Sequence, residues 1–322
     1  MNKKNNNKTY EQKGFSFYAM RKLVQHHQHM ALTLTFNGHH FVVEGITFDL
    51  LPSNTRQFAT EGSHPSPAFT YTFHMVEQLP PNPAPGESWE QVFDHHDIVV
   101  WRNGSLERRL LATGTSPKNY AVYEERDSNQ ADIWFLSSLQ SLLRFDTVFI
   151  STLSMERHLA PLGNYILHCA YLSHSGEAVL FSGPSGSGKS THGNLWAQFV
   201  PDTHVVNGDR GLIYRDDDGK YYVSGWPVCG SSGICHVERH PLHAIVFIEQ
   251  TPDNQLIQEP TVRLFTRLYS QLTINHWNKE ATITAVDWIT SLLNNVPVKV
   301  YGCNMAPDAP FTLKKALFPT EE

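Results

Sequence analysis

Cysteine is scarce in this sequence, with four residues in a chain of 322. A framework of disulfides, the usual support of small secreted domains, is therefore excluded as the basis of the fold. Long apolar runs are also missing, because none approaches the roughly 18 residues that a membrane-spanning helix needs. The first fourteen residues lack the apolar core of a secretion signal. These absences lead us to expect a cytoplasmic protein with no membrane partner.

An excess of positive charge is missing as well, since the formal net charge is -6. Nucleic-acid-binding proteins normally carry a basic surface, so nucleic acid is not an expected partner. The chain has 40% hydrophobic and 17% charged residues, which is typical of a globular protein. Its length allows one large or two ordinary domains.

Three segments can be distinguished along the chain. Residues 1–14 are polar and rich in asparagine, so we expect a disordered tail there. In residues 15–160, the dipeptides Asn37-Gly38 and Asn103-Gly104 each lie between two apolar runs, which is the strongest short hairpin signal. This segment is predicted to be an antiparallel, β-rich domain of unknown role. It ends in a helix over residues 139–159 that could be interrupted near Asp146.

The third segment, residues 161–322, mixes strand and helix patterns and is predicted to be an α/β domain with a mixed sheet. Within it, residues 183–190 read GPSGSGKS and fit G-x-x-x-x-G-K-[ST]. An apolar run typical of a buried strand precedes them, and residues 191–199 favour a helix. Strand, glycine loop and helix in this order predict a phosphate-binding P-loop; a Gly/Ser-rich turn is the alternative.

The residue types of this loop suit a nucleotide phosphate. Glycine lets the backbone bend and approach an oxyanion, so that exposed N–H groups point at phosphate. Lys189 would bring a positive charge to the β- and γ-phosphates, and Ser190 would offer its hydroxyl to Mg²⁺. The residues predicted to bind the nucleotide are Gly183, Ser185, Gly186, Ser187, Gly188, Lys189, Ser190 and Thr191.

An acidic residue follows the next strand pattern. Residues 203–207 are a strand candidate, and Gly208-Asp209-Arg210 come directly after them. A carboxylate at the end of a strand beside a P-loop is placed to hold Mg²⁺, directly or through water, so Asp209 is the predicted Walker B residue. A simple turn aspartate is the alternative. The three aspartates at residues 216–218 precede Gly219 and are assigned to a hairpin turn.

His168 is a further candidate. A hairpin of residues 165–172 and 177–182 with His174-Ser175 as its two-residue turn would pair His168 with Phe181, near the entrance of the P-loop. Strand spacing alone favours a surface histidine. Three histidine pairs elsewhere lack regular ligand spacing and are interpreted as solvated. Zinc is not expected at the C-x5-C-H-x3-H pattern, because that spacing is not a standard one. Its residues are Cys229, Cys235, His236 and His240.

With these residues in place, the second half resembles the catalytic domain of the HPr kinase/phosphorylase family, which is related to phosphoenolpyruvate carboxykinases. The resemblance covers roughly residues 165–250. It rests on the loop GPSGSGKST, on VVNGDRGLIY, and on His168, which stands fifteen residues before the first loop glycine, as a histidine does in the family. The resemblance implies a P-loop domain of that fold, ATP and Mg²⁺ as cofactors, and a site role for His168.

One departure from the family concerns its two adjacent aspartates, a catalytic base or acid followed by a metal ligand. Here Gly208 stands at the base position, while Asp209 keeps the metal position. We expect His168, Lys189 and Asp209 to be catalytic, and Ser190 and Asp209 to hold the metal. The predicted function is transfer of the ATP γ-phosphate to a hydroxyl on a protein or peptide. A non-catalytic ATP-binding module and a small-molecule kinase are the alternatives.

Overall fold

The computed structural model describes residues 31–114, 118–304 and 306–319, so the predicted tail at residues 1–14 lies outside it. Nine strands of the first half form one sheet in the order β3-β1-β2-β4-β9-β8-β7-β6-β5. They are β1 Ala31–Phe36, β2 His39–Glu44, β3 Ala59–Glu61, β4 Phe69–Val76, β5 Glu90–His95, β6 Ile98–Asn103, β7 Leu106–Ala112, β8 Asn119–Glu125 and β9 Gln130–Leu136.

Both predicted hairpins are present, β1–β2 with Asn37-Gly38 as its turn and β6–β7 with Gly104-Ser105 as its turn, since Asn103 pairs with Leu106. Asn37 and Gly38 have φ values of 50° and 74°, the left-handed conformation that this two-residue turn requires. The expectation of an antiparallel module was wrong, because β4 lies parallel to both β2 and β9. Turn residues specify pairing only across short loops. β4 is reached through the long connection of residues 45–68, where no such signal operates.

The predicted helix over residues 139–159 is divided into three pieces. A 3₁₀ helix, Ser137–Arg144, precedes α1 Asp146–Thr152 and α2 Met155–Leu159. The interruption near Asp146 is confirmed, and Asp146 Oδ1 there accepts hydrogen bonds from the backbone N–H and hydroxyl of Thr55, at 2.8 and 2.6 Å. The remaining 3₁₀ helices are Phe48–Leu50, Thr55–Phe58, Ala160–Leu162 and Gly230–Ser232.

The second half is mixed α/β. Two of its eight strands, β10 and β15, change partners midway, so that β10, β13, β14, β15 and β11 pair in succession and close a ring. The strands are β10 Tyr165–His174, β11 Glu177–Ser182, β12 Thr203–Asn207, β13 Arg210–Arg215, β14 Tyr221–Ser224, β15 Arg239–Gln250, β16 Gln255–Ile257 and β17 Val298–Cys303. The helices are α3 Lys189–Phe199, α4 Thr261–Gln271, α5 Lys279–Asn295 and α6 Ala309–Leu317.

Helices cover both faces of this second sheet. Apolar residues of α4 and α5 pack on one face, and those of α3 and α6 on the other. A third buried cluster joins the first sheet to second-half residues, among them Ile166, Leu212 and Trp226. Within the described residues, no helix has both the length and the apolar character that crossing a bilayer demands. The division of the chain into domains at residue 160 stays a prediction.

The hairpin β10–β11 differs from the predicted one. Its turn is Ser175-Gly176, with φ values of 50° and 83°, so His174 pairs with Glu177 and the register is shifted by two residues. The predicted pairing of His168 with Phe181 was therefore wrong. His168 lies beyond the end of the β11 ladder and pairs with Arg210 of β13 instead.

A buried network of charges lies where the two halves meet. Glu107 is fully buried and accepts hydrogen bonds from Arg109 Nη2 at 2.9 Å and Arg157 Nη1 at 2.8 Å. Arg157 also binds both carboxylate oxygens of Glu125. From the second half, Trp277 Nε1 donates to Glu107 Oε1 at 3.3 Å. Because each buried charge has an opposite partner, the network avoids the cost of an isolated buried ion.

His158 adjoins this network and should make stability depend on pH. Its ring stacks on Phe69, with centroids 3.7 Å apart, and its Nε2 lies 2.7 Å from the Tyr123 hydroxyl. Burial lowers the pKa of His158 well below its ordinary value, and the charges of Arg157 and Arg109 act in the same direction. As the pH is lowered, His158 therefore binds a proton near pH 6.5 in the unfolded chain but not in the folded chain. The free energy of unfolding falls as the pH drops below that value.

We expect His158→Phe to flatten this dependence, because phenylalanine keeps the stacking on Phe69 but cannot titrate. Between roughly pH 6.5 and 5, the slope of unfolding free energy against pH should be lower by about 1.4 kcal/mol per pH unit. Denaturant titrations at a series of pH values measure this slope. The variant His236→Phe, at an exposed histidine, should keep the wild-type slope. Equal slopes in His158→Phe and wild type would contradict the prediction.

Candidate functional site

The glycine-rich loop, residues 183–188, connects β11 to α3 at the carboxyl ends of the parallel strands β11 and β15. Gly183 has φ 141°, and a Cβ there would lie 2.8 Å from Ser187 Oγ, so the position requires glycine. From the end of β15, Gln250 Nε2 donates to Gly186 O at 3.1 Å and holds the loop. Crevices at this edge of a parallel sheet are where ligands of α/β proteins bind.

Polar groups of the loop are suited to binding a ligand. Ser187 Oγ is buried and has no hydrogen-bond partner among the residues that the structure describes. An unpaired buried hydroxyl lowers the stability of the fold by about 1–3 kcal/mol. An oxygen atom of a bound ligand that accepts a hydrogen bond from Ser187 would remove this cost. Ser185, Ser190 and Thr191 are exposed, so their side chains are open to a ligand as well.

Lys189 is the first residue of α3 and is only 7% exposed. Its ammonium donates to Gly183 O at 2.9 Å and to Pro184 O at 3.0 Å, which places the charge over the start of the loop. Burial lowers the pKa of Lys189, while the negative charge of Asp209 acts in the opposite direction. The loop therefore carries a cation whose partners are two neutral carbonyls.

Asp209 stands between two cationic or potentially cationic side chains. Its Oδ1 lies 3.4 Å from His168 Nε2, and its Oδ2 lies 3.2 Å from Arg210 Nε. The hydrogen bond with His168 is the main reason why the pKa of Asp209 is lowered; burial opposes this, and the charges of Arg210 and Lys189 reinforce it. The carboxylate is thus ionised at neutral pH, as a metal ligand must be.

Asn207 orients this aspartate, a role that sequence reasoning missed. It is fully buried, and its Oδ1 accepts from the backbone N–H groups of Asp209 at 2.9 Å and Arg210 at 2.8 Å. Its Nδ2 donates to Trp226 O at 2.6 Å. The sequence did contain a signal for this role, because an asparagine stands at the end of an apolar strand directly before Gly-Asp. The turn after β12 is therefore fixed from inside the protein.

Ser190 and Asp209 line the same cavity of about 270 Å³. Gly193 and Asn194 of α3 form one wall, and Ser231 and Ser232 contribute to another. A hydroxyl oxygen and a carboxylate oxygen that line one cavity are suitable ligands for Mg²⁺. This ion is usually held by one or two protein groups together with substrate phosphates. The structure thus brings together the two predicted metal ligands, with Lys189 and His168 both close enough to influence Asp209.

The space at Gly208 is closed. A Cβ at this position would lie 2.0 Å from Ser232 Oγ. That hydroxyl is held in place, because it donates to Cys229 O at 2.7 Å and accepts from Ile234 N at 3.1 Å. Position 208, where the family resemblance implies a base, therefore admits no side chain unless residues 229–234 move.

No protein-family model and no curated protein sequence matches this chain. Among solved structures, it is similar to the Hpr(Ser) kinase/phosphatase from Coxiella burnetii, with 18% sequence identity and a TM-score of 0.23. The match covers 30% of this chain and 66% of the other chain. The matched region is therefore less than two thirds of the length of the Coxiella burnetii protein. Similarity at this level does not carry an activity from one protein to the other.

Proposed function

We propose that this chain is an ATP-dependent phosphotransferase that moves the γ-phosphate to a hydroxyl of a protein or peptide. The proposal rests mainly on one observation. A lysine at the start of a helix, a serine beside it and an ionised aspartate converge at the end of a glycine-rich loop. These are the groups that phosphoryl transfer uses for positioning and charge neutralisation.

Each group has a definite part in this proposal. Backbone N–H groups of the loop and of the first turn of α3 bind the phosphates. Lys189 exchanges its two carbonyl partners for phosphate oxygens, because charge-assisted hydrogen bonds are stronger than those to neutral acceptors. Ser190 and Asp209 hold Mg²⁺, which when bound neutralises charge on the transferred group.

His168 supplies charge to the site and does not replace the base that Gly208 cannot supply. Its Nδ1 lies 3.1 Å from Gln271 Oε1, a carbonyl oxygen that can only accept, so Nδ1 carries a proton. Nε2 faces the carboxylate of Asp209, which also only accepts, so the hydrogen bond between them needs a proton on Nε2 as well. The resulting imidazolium, stabilised by Asp209, brings positive charge to the transferred phosphate, and phosphoryl transfer depends mainly on such positioning and charge neutralisation.

Lys189→Ala tests the nucleotide site. ATP with Mg²⁺ at about 100 times its dissociation constant should stabilise the wild-type protein by about 2.7 kcal/mol. We expect most of this stabilisation to disappear in Lys189→Ala, because the phosphates lose their cation. Thermal melts with and without the nucleotide measure the effect. Lys299→Ala, at an exposed lysine on β17, should retain it. A shift of unchanged size in Lys189→Ala would remove the glycine-rich loop from the proposed site.

The acceptor can be found by incubating the protein with γ-labelled ATP, Mg²⁺ and a lysate of the source cell. A labelled protein or peptide supports the proposal, whereas a labelled metabolite would indicate a small-molecule kinase. The closed position at Gly208 favours a second candidate, an ATP-binding module with little turnover. Tight binding of ATP without any labelled product would support that candidate.

A further inference from the structure

Three side chains with metal-binding atoms meet at the edge of the second sheet, on segments separate from the glycine-rich loop. His204 lies on β12, His240 lies on β15, and Glu238 precedes β15. Glu238 Oε2 is 2.8 Å from His204 Nε2 and 3.0 Å from His240 Nε2. The three potential ligand atoms all lie within 4.8 Å of one another.

The orientation of His240 is the one that a metal ligand needs. Its Nδ1 lies 3.2 Å from Gly176 O, and because a carbonyl can only accept, Nδ1 carries the hydrogen. In the neutral ring, Nε2 then presents a lone pair to an oxygen of Glu238. Two acceptors at this distance repel each other unless a proton or a metal ion lies between them. Metal-binding histidines commonly donate their second ring N–H to a backbone carbonyl in this way.

The backbone around Glu238 is fixed. Glu238 O accepts from Gly225 N at 3.0 Å, and His236 N donates to Val206 O, on β12, at 3.0 Å. A Cβ at Gly225 would lie 1.9 Å from His236 O, so these segments are in close contact. The ligand atoms are thus positioned by main-chain packing. Side-chain exposures of 52% for His204 and 19% for His240 keep both imidazoles accessible from solvent.

We propose that His204, Glu238 and His240 form a binding site for a divalent transition-metal ion, with Zn²⁺ as the best match. Two imidazole nitrogens and one carboxylate oxygen are a recognised ligand set for zinc, with water completing the tetrahedron. The ion would tie β12 to the start of β15. It would also restrain residues 225–238, which include Ser231 and Ser232 of the cavity wall. The site does not depend on the proposed phosphotransferase activity.

A second group of potential ligands provides a contrast. His95, His96 and Asp97 are consecutive and all exposed; His95 ends β5, and the other two form the turn to β6. His95 Nδ1 bonds Asp97 Oδ1 at 2.6 Å, which is a local pair within one turn. This group serves as an internal control for histidines on the surface.

Zinc titration of the full-length chain tests the proposal. After removal of metals, Zn²⁺ is titrated in competition with a chromophoric chelator, and no nucleotide is present. We expect His204→Ala and His240→Ala each to lower the affinity of one zinc equivalent by at least about 10-fold. Glu238→Gln should do the same because it removes the charge. His236→Ala and the double variant His95→Ala/His96→Ala should retain that equivalent.

Two further measurements guard against misfolding and surface binding. Circular dichroism of the metal-free variants checks the fold. If His240→Ala does not fold, the test relies on His204→Ala, whose substitution is on an exposed edge strand. Zinc should raise the melting temperature of the wild type and leave that of His204→Ala unchanged. Equal zinc binding by wild type, His204→Ala and His240→Ala would overturn the proposal. So would loss of the equivalent only in His95→Ala/His96→Ala.

Discussion

Asp209→Asn is expected to lower phosphoryl transfer on the order of 100-fold or more, the scale seen when a group that stabilises transition-state charge is removed. Asparagine preserves the size of the side chain but removes the charge that binds Mg²⁺ and stabilises a protonated His168. Binding of ATP should also lose its dependence on Mg²⁺. Single-turnover transfer from γ-labelled ATP, with the acceptor present, measures the effect. Asp217→Asn, in the exposed turn after β13, is the matched control.

Transfer at the wild-type rate in Asp209→Asn would make Asp209 a turn residue without a catalytic part. His168→Ala in the same assay distinguishes a kinase from a non-catalytic ATP-binding module. In a kinase, this substitution should strongly reduce the rate of phosphoryl transfer and only slightly reduce the affinity for ATP. The three proteins, wild type, Asp209→Asn and His168→Ala, could also prove equally inactive while still binding ATP tightly in the presence of the partner. That result would contradict the kinase proposal and support the non-catalytic ATP-binding module. Adding aspartate at Gly208 is a poor test, because the new side chain collides with Ser232.

Arg157→Met is expected to have the largest effect on stability, about 3–5 kcal/mol, the range measured when one partner of a buried ion pair is removed. The substitution leaves Glu107, which is fully buried, and Glu125, which is 5% exposed, without the guanidinium that bonds both carboxylates. Chemical denaturation followed by circular dichroism measures the change in unfolding free energy. Failure of the variant to accumulate in folded form is the extreme of the same result.

The control for this prediction is Arg144→Met, at an exposed arginine in the 3₁₀ helix before α1. Surface substitutions usually change stability by less than about 0.5 kcal/mol. A change of that size in Arg157→Met would show that solvent or rearranged side chains compensate the two carboxylates. The network would then contribute little to holding the two halves together.

Features that depend on a few consecutive residues were determined by the sequence. The Asn37-Gly38 turn, the β13–β14 hairpin around Gly219, and the succession of β11, glycine loop and α3 all formed as predicted. Local dihedral preferences fix such features, because glycine and asparagine adopt positive φ at little cost. The apolar periodicity of residues 260–272 and 281–293 likewise predicts two amphipathic helices, and α4 and α5 lie there and bury one face each.

Relations between distant residues were decided by the tertiary structure. The parallel placement of β4, the pairing of His168 with Arg210, and the closure of Gly208 by Ser232 each join segments far apart in the chain. The convergence of His204, Glu238 and His240 has the same origin. A residue's sequence neighbours carry no information about which remote surface it will pack against. Pairing and packing follow from burial and hydrogen bonding of the whole chain, since these are satisfied only when all the elements have assembled.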